Sequence, residues 1–136
     1  MDEKQFDIAK YRIEKAKEEI LSAKILMEKY LIKSALSSLY YSMFHSVRAL
    51  LALEGTDSKT HSGIIHLFHD KFIHTGKLDK NLGKILSNAF ELRLDSDYQD
   101  FYVIGKDEVN TQVNNAELFY KEIVRFIEKH YGKKLE

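Results

Sequence analysis

The sequence predicts an all-α fold: an antiparallel, up-and-down four-helix bundle with an additional helix. Apolar residues recur at spacings of three and four along most of the 136 residues, the period of one buried helix face. The segments between the periodic stretches are short, so successive helices must run in opposite directions. With no internal repeat, low-complexity stretch or linker, residues 1–136 read as a single helical domain. A chain of this length buries roughly 65–70% of its unfolded surface, enough for one core.

Each element has its own signature. Ile13, Ala16, Ile20, Ala23 and Met27 place one apolar stripe on a helix over about residues 4–29. From about 32 to 54 the apolar positions thicken (Ala35, Leu36, Leu39, Tyr40, Met43, Phe44, Val47, Leu50, Leu51), which predicts the central helix, closed by Gly55 as a left-handed cap. Ser58 to Gly63 carry turn and N-cap chemistry, and Ile64, Ile65, Leu67, Phe68 and Phe72 mark a third helix. After the Thr75-Gly76-Lys77 break, Leu78, Leu82, Ile85, Leu86, Ala89 and Phe90 predict a fourth helix ending near Leu94. Residues 95–105 read as a loop with an extended piece at 101–104. Val109, Val113, Ala116, Tyr120, Ile123 and Ile127 predict the closing helix. The expected core contains Leu39, Tyr40, Phe44, Val47, Phe68, Leu86, Ala89, Ala116, Tyr120 and Ile123.

Composition narrows the function. There is no cysteine, which excludes disulfides, thiolate metal sites and a cysteine nucleophile. Lys plus Arg and Asp plus Glu both number 21, so the basic excess of a DNA-coating protein is missing. No apolar run approaches the ~20 residues of a membrane span, and the start, Met1-Asp2-Glu3-Lys4-Gln5, is polar rather than signal-like. The expectation is a cytoplasmic protein without membrane contact. Locally the charges separate. Residues 59–84 hold five Lys and four of the six His against two Asp, whereas residues 85–117 hold seven acids against Arg93 and Lys106.

Four blocks follow one another in register: Ser38-Leu39-Tyr40-Tyr41-Ser42-Met43-Phe44-His45, then Lys59-Thr60-His61-Ser62-Gly63, then Lys71-Phe72-Ile73-x-Thr75-Gly76-x-Leu78, then Arg93-x-x-Ser96-Asp97-Tyr98. Together they resemble the HEPN domain, the higher eukaryotes and prokaryotes nucleotide-binding family, over about residues 9–127. The resemblance implies a four-helix bundle with a fifth helix, a homodimer, and a partner that is a minimal nucleotidyltransferase in a toxin–antitoxin-type pair. It also implies a metal-independent ribonuclease motif, Arg-x(4–6)-His, whose following Tyr a partner can nucleotidylate. Here Arg93, Asp97 and Tyr98 are matched to that motif and Ser96 to its His, although Ser96 stands only three positions after Arg93, and no His lies within six residues downstream of Arg93. A serine hydroxyl is neither a base nor an acid of useful pKa near neutrality.

The candidate site residues are therefore Arg93, Asp97, Tyr98, His61, Lys59 and Tyr41. Arg93 supplies a planar donor fork for phosphate and Tyr98 a stacking face or the modified hydroxyl. Alternatively, Arg93 only steadies its own helix end and pairs with Asp95 or Asp97. His61 lines the groove or acts as a base near neutral pH; alternatively, it bonds a backbone group beside the cap. Adjacent Tyr40 and Tyr41 point ~100° apart on a helix, so one of them at most is expected to face the groove. His66 and His69 sit three apart without a firm third ligand beyond Asp70 or His74, so no metal is assigned, and no cofactor is expected. There is no Gly-x-Ser-x-Gly elbow and no phosphate loop. The leading reading is the HEPN half of a nucleotidyltransferase pair, binding nucleotide or RNA at Arg93 and Tyr98. The rivals are a ribonuclease using Arg93 with His61 and a non-catalytic nucleotide- or RNA-binding module. The apolar excess on the central and fourth helices predicts a two-fold contact near Arg93.

Overall fold

The computed structural model describes residues 3–135. Met1, Asp2 and Glu136 lie outside the described residues, and with them the first two positions of the polar start. Most of the described residues lie in five α-helices: α1 (Glu3–Glu28), α2 (Ile32–Leu53), α3 (His61–Phe68), α4 (Lys80–Tyr98) and α5 (Lys106–Tyr131).

Along α1 the buried positions are Ala9, Ile13, Ala16, Ile20 and Ala23, a four-three spacing that forms a narrow seam against α2. Alanine at every seventh position lets the backbones approach, and the buried Ser42 hydroxyl of α2 donates to the Ala16 carbonyl at 2.8 Å. α2 is buried almost all round because α1, α3, α4 and α5 each pack on it. Its apolar excess is thereby used within one chain and does not by itself call for a second copy. Gly55, at φ +68°, closes the helix as expected.

α3 begins at Thr60, whose side chain accepts from the Gly63 amide at 3.0 Å. Gly63 is required here: a Cβ would collide with Ser58 Oγ and lie 2.8 Å from Thr60 Oγ1. The expected single third helix is interrupted, because α3 continues from His69 to Ile73 as a π-helical turn closed by the His74 amide on the His69 carbonyl. Phe68 and Phe72 both reach the core through it.

Two expected boundaries are corrected. The fourth helix runs to Tyr98, not Leu94, so the segment expected to be loop from residue 95 begins only at Gln99. The apolar stripe stops at Phe90, but no glycine or proline interrupts residues 84–104, so the backbone continues helically after its buried face has run out. Residues 101–104 form no strand; Phe101 instead adopts φ +59°. On α5 the core position is Phe119, fully buried, and Tyr120 is only partly buried. The seam steps three residues from Ala116, to Phe119, rather than four. The other expected core residues are buried in one connected cluster. No helix among the described residues is long and apolar enough to cross a membrane.

Candidate functional site

Three helices meet where three of the four sequence blocks, those of residues 38–45, 59–63 and 93–98, converge. The Arg93 guanidinium of α4 lies over two rings of α2, 5.4 Å from the centroid of Tyr40 and 5.1 Å from that of Tyr41. Both adjacent tyrosines therefore meet the same cation, against the expectation that only one could. The planar group spans the two ring faces. Arg93 Nε also pairs with Asp97 Oδ2 at 3.3 Å, one helical turn on, with the arginine side chain about one-fifth exposed (21%). Arg93 sits inside α4, which continues to Tyr98, rather than at the helix end that the sequence suggested near Leu94.

His61, at the first position of α3, points into this cluster. Its ring stacks on Phe44 at 4.4 Å and 17°, and lies near the rings of Tyr40, Tyr41 and Phe90. Nδ1 is 2.7 Å from the hydroxyl of the fully buried Tyr40. The expected backbone bond of His61 is replaced by this contact between side chains 21 residues apart.

The electrostatics keep both partners neutral. Burial pushes the Tyr40 phenol well above the ordinary tyrosine range, with Arg93 acting against it. Burial, then the positive charges of Arg93 and Arg48, hold His61 below the ordinary imidazole range. A phenol that keeps its proton faces an imidazole that stays neutral. With Tyr40 as donor and Nδ1 as acceptor, one of the two arrangements open to neutral groups, the remaining imidazole proton is on Nε2.

The remaining candidates are less gathered. Tyr41 is partly buried beside Arg93, and Asp97 is held by its ion pair. Tyr98 is exposed at the end of α4, and Lys59 is exposed in the turn before the Thr60 cap. Ser96 is buried, and its hydroxyl has no hydrogen-bond partner among the described residues. A histidine at that position would have to displace packed neighbours. His69 Nε2 lies 3.2 Å from Ser87 Oγ. No group of three His, Cys, Asp or Glu residues placed to hold a metal ion occurs among the described residues. Sequence reasoning missed Phe44, Phe90 and the Tyr40 hydroxyl as parts of the site. The nearest signal was an aromatic cluster at positions 40, 41 and 44, which served equally well as core.

Known proteins resemble the chain over nearly its whole length. The HEPN domain profile matches residues 9–129. A UPF0332 protein of Thermotoga maritima is 34% identical over 128 residues, covering 94% of this chain and 96% of its own. A UPF0332 protein of Archaeoglobus fulgidus is 36% identical over 124 residues (91% and 98% of the two chains). A protein of Methanocaldococcus jannaschii named as a candidate toxin is 32% identical over 117 residues (86% and 87%). With the helical bundle, the ordered motif blocks and the match over nearly all its length, the chain belongs to the HEPN domain family.

Proposed function

We propose that this protein is the HEPN half of a toxin–antitoxin-type pair with a minimal nucleotidyltransferase, and that it binds RNA or a nucleotide at Arg93 without cleaving it. The observation that carries this reading is the guanidinium laid across Tyr40 and Tyr41. An arginine with its stem packed suits a phosphate, and the partly buried Tyr41 and exposed Tyr98 offer rings to a base. The names given to relatives as candidate toxins support the two-component setting. Exposed Tyr98 is the residue we assign as the hydroxyl a partner would modify, with Lys59 and Asp97 at the margins of the site. A phenol is a weak nucleophile at a pKa near ~10, so the partner must supply the base and metal.

The contact with Tyr40 supports a silent site: in the tautomer where Tyr40 donates to Nδ1 and Nε2 carries the proton, His61 has no free lone pair to act as base. A second reading, a ribonuclease built on Arg93 and His61, is favoured by their meeting in one aromatic cluster. Incubation with the nucleotidyltransferase and a nucleoside triphosphate tests the pair. A nucleotide-sized mass gain lost in Tyr98→Phe is expected, and an unmodified Tyr98 contradicts that assignment. Metal-independent cleavage of RNA by the purified protein, lost in both His61→Ala and Arg93→Ala, would establish the second reading instead.

A further inference from the structure

A second set of cations is held together beside Phe44. Arg12 of α1 and Arg48 of α2 meet across the helix pair, with Arg12 Nη1 donating to the Arg48 carbonyl at 2.9 Å. Arg48 Nη2 donates to Asp57 Oδ2 at 3.0 Å, while its buried Nε has no hydrogen-bond partner. These two arginines, together with His45 and Lys15, line a groove of about 680 Å³ between α1 and α2. Two guanidiniums fixed by their own hydrogen bonds are ready to take an anion without first being ordered.

The charge arrangement is strained in one direction. Burial and the neighbouring Arg48 both weaken the hold of Arg12 on its proton, with Asp57 opposing. His45 is held below the ordinary imidazole range by burial, then by Arg48, Lys15 and Arg12. Each of these groups would gain from a bound negative charge. Asp7, Glu18 and Glu19 also line the groove, so it suits one compact anion against Arg12 and Arg48 rather than a polyanion lying along its whole length.

The position of the groove selects the anion. Tyr41, Phe44, His45 and Arg48 stand at i, i+3, i+4 and i+7 on α2, so they share one helix face. Tyr41 carries Arg93 at one end, and Arg48 lies over the Phe44 ring at the other, 6.0 Å from its centroid. Seven residues of α-helix span roughly 10 Å, a distance that neighbouring or next-neighbouring phosphates of one extended strand can bridge. We propose that the Arg12–His45–Arg48 groove is a second phosphate subsite, taking a further phosphodiester of the oligonucleotide whose first phosphate is held at Arg93, an inference that rests on the reading of Arg93 given above. The ligand is then a short single strand, not a mononucleotide.

The test is binding of fluorescein-labelled oligouridylates of increasing length to the full chain, read by anisotropy across a salt series. Affinity should rise from dinucleotide to octanucleotide. Arg12→Gln should remove about tenfold of the octanucleotide affinity and lower the salt slope by about 0.7, leaving the dinucleotide unchanged. Lys15→Gln, at an exposed position, should act in the same direction and guards against misfolding of the Arg12 variant. Arg93→Ala should weaken every length. If Arg12→Gln and Lys15→Gln both bind the octanucleotide like the wild type with the same salt slope, the subsite is wrong and the Arg93 reading stands. If no oligonucleotide binds the wild type, the Arg93 reading fails, and inorganic phosphate judges the groove through the His45 ring signals in NMR. Displacement that Arg12→Gln abolishes keeps it as an anion site; unmoved signals overturn it.

Discussion

At the scale of single residues, the Tyr40–His61 bond ties the centre of the bundle to the start of α3. Tyr40→Phe removes the donor and keeps the ring packing, so it should cost about 1 kcal/mol in a denaturant titration. An unchanged midpoint would mean that the bond contributes nothing. His45, His61 and His69 are all held below the ordinary imidazole range, chiefly by burial and then by neighbouring positive charges. The unfolded chain therefore takes up protons first as pH falls. The stability linked to these groups is complete above about pH 6.5 and is lost as pH drops through the lower folded values. The urea midpoint should be lower at pH 5.5 than at pH 7.5; equal midpoints would contradict the neutral assignment. Arg93 and His61 were legible as candidates from their motif blocks. Their meeting around Tyr40 was not, because the Tyr40–His61 contact, spanning 21 residues, is set by tertiary packing, and Tyr40 carries no mark in sequence that separates a core ring from a hydrogen-bonding one.

At the scale of elements, the helices were legible wherever a buried face repeats. α2 shows its central place in the density of apolar positions, and α1 in its single stripe. The end of α4 was not legible because its last two turns have little apolar periodicity, and Ser96 is buried there as a polar residue. The π-helical turn at His69–Ile73 was equally hidden, since one widened turn shifts the phase without leaving a period of its own. On α5 the choice between Phe119 and Tyr120 turns on one residue of phase. Phe119→Ala should cost about 3–5 kcal/mol and Tyr120→Ala clearly less, as measured by chemical denaturation; the reverse order would refute the seam. Thr60→Ala should cost about 1 kcal/mol by removing the α3 cap, with Thr60→Ser close to neutral.

At the scale of the whole molecule, the largest exposed apolar side chains near the site are Tyr98, Phe101 and Val103, grouped at the end of α4 and in the loop after it. Assembly, where it occurs at this end of the bundle, should therefore depend on the loop and not on α2. Phe101→Ser with Val103→Ser should shift light scattering from dimer toward monomer at micromolar concentration, and a wild type that is monomeric there would exclude the homodimer. The fold as a whole was legible because every long helix advertises its buried face. The chemistry was legible only as a set of residues, because Ser96 breaks the motif that would otherwise have named a reaction. The central claim is that the Arg93 cluster binds a nucleic-acid phosphate and leaves the strand intact. It is tested most directly by mixing labelled RNA with wild type and Arg93→Ala without metal, and reading anisotropy and strand length in the same samples. The expected result is uncut RNA in both, with affinity at least about tenfold weaker for Arg93→Ala. RNA cut by the wild type and spared by Arg93→Ala, or equal binding by the two proteins, would contradict it.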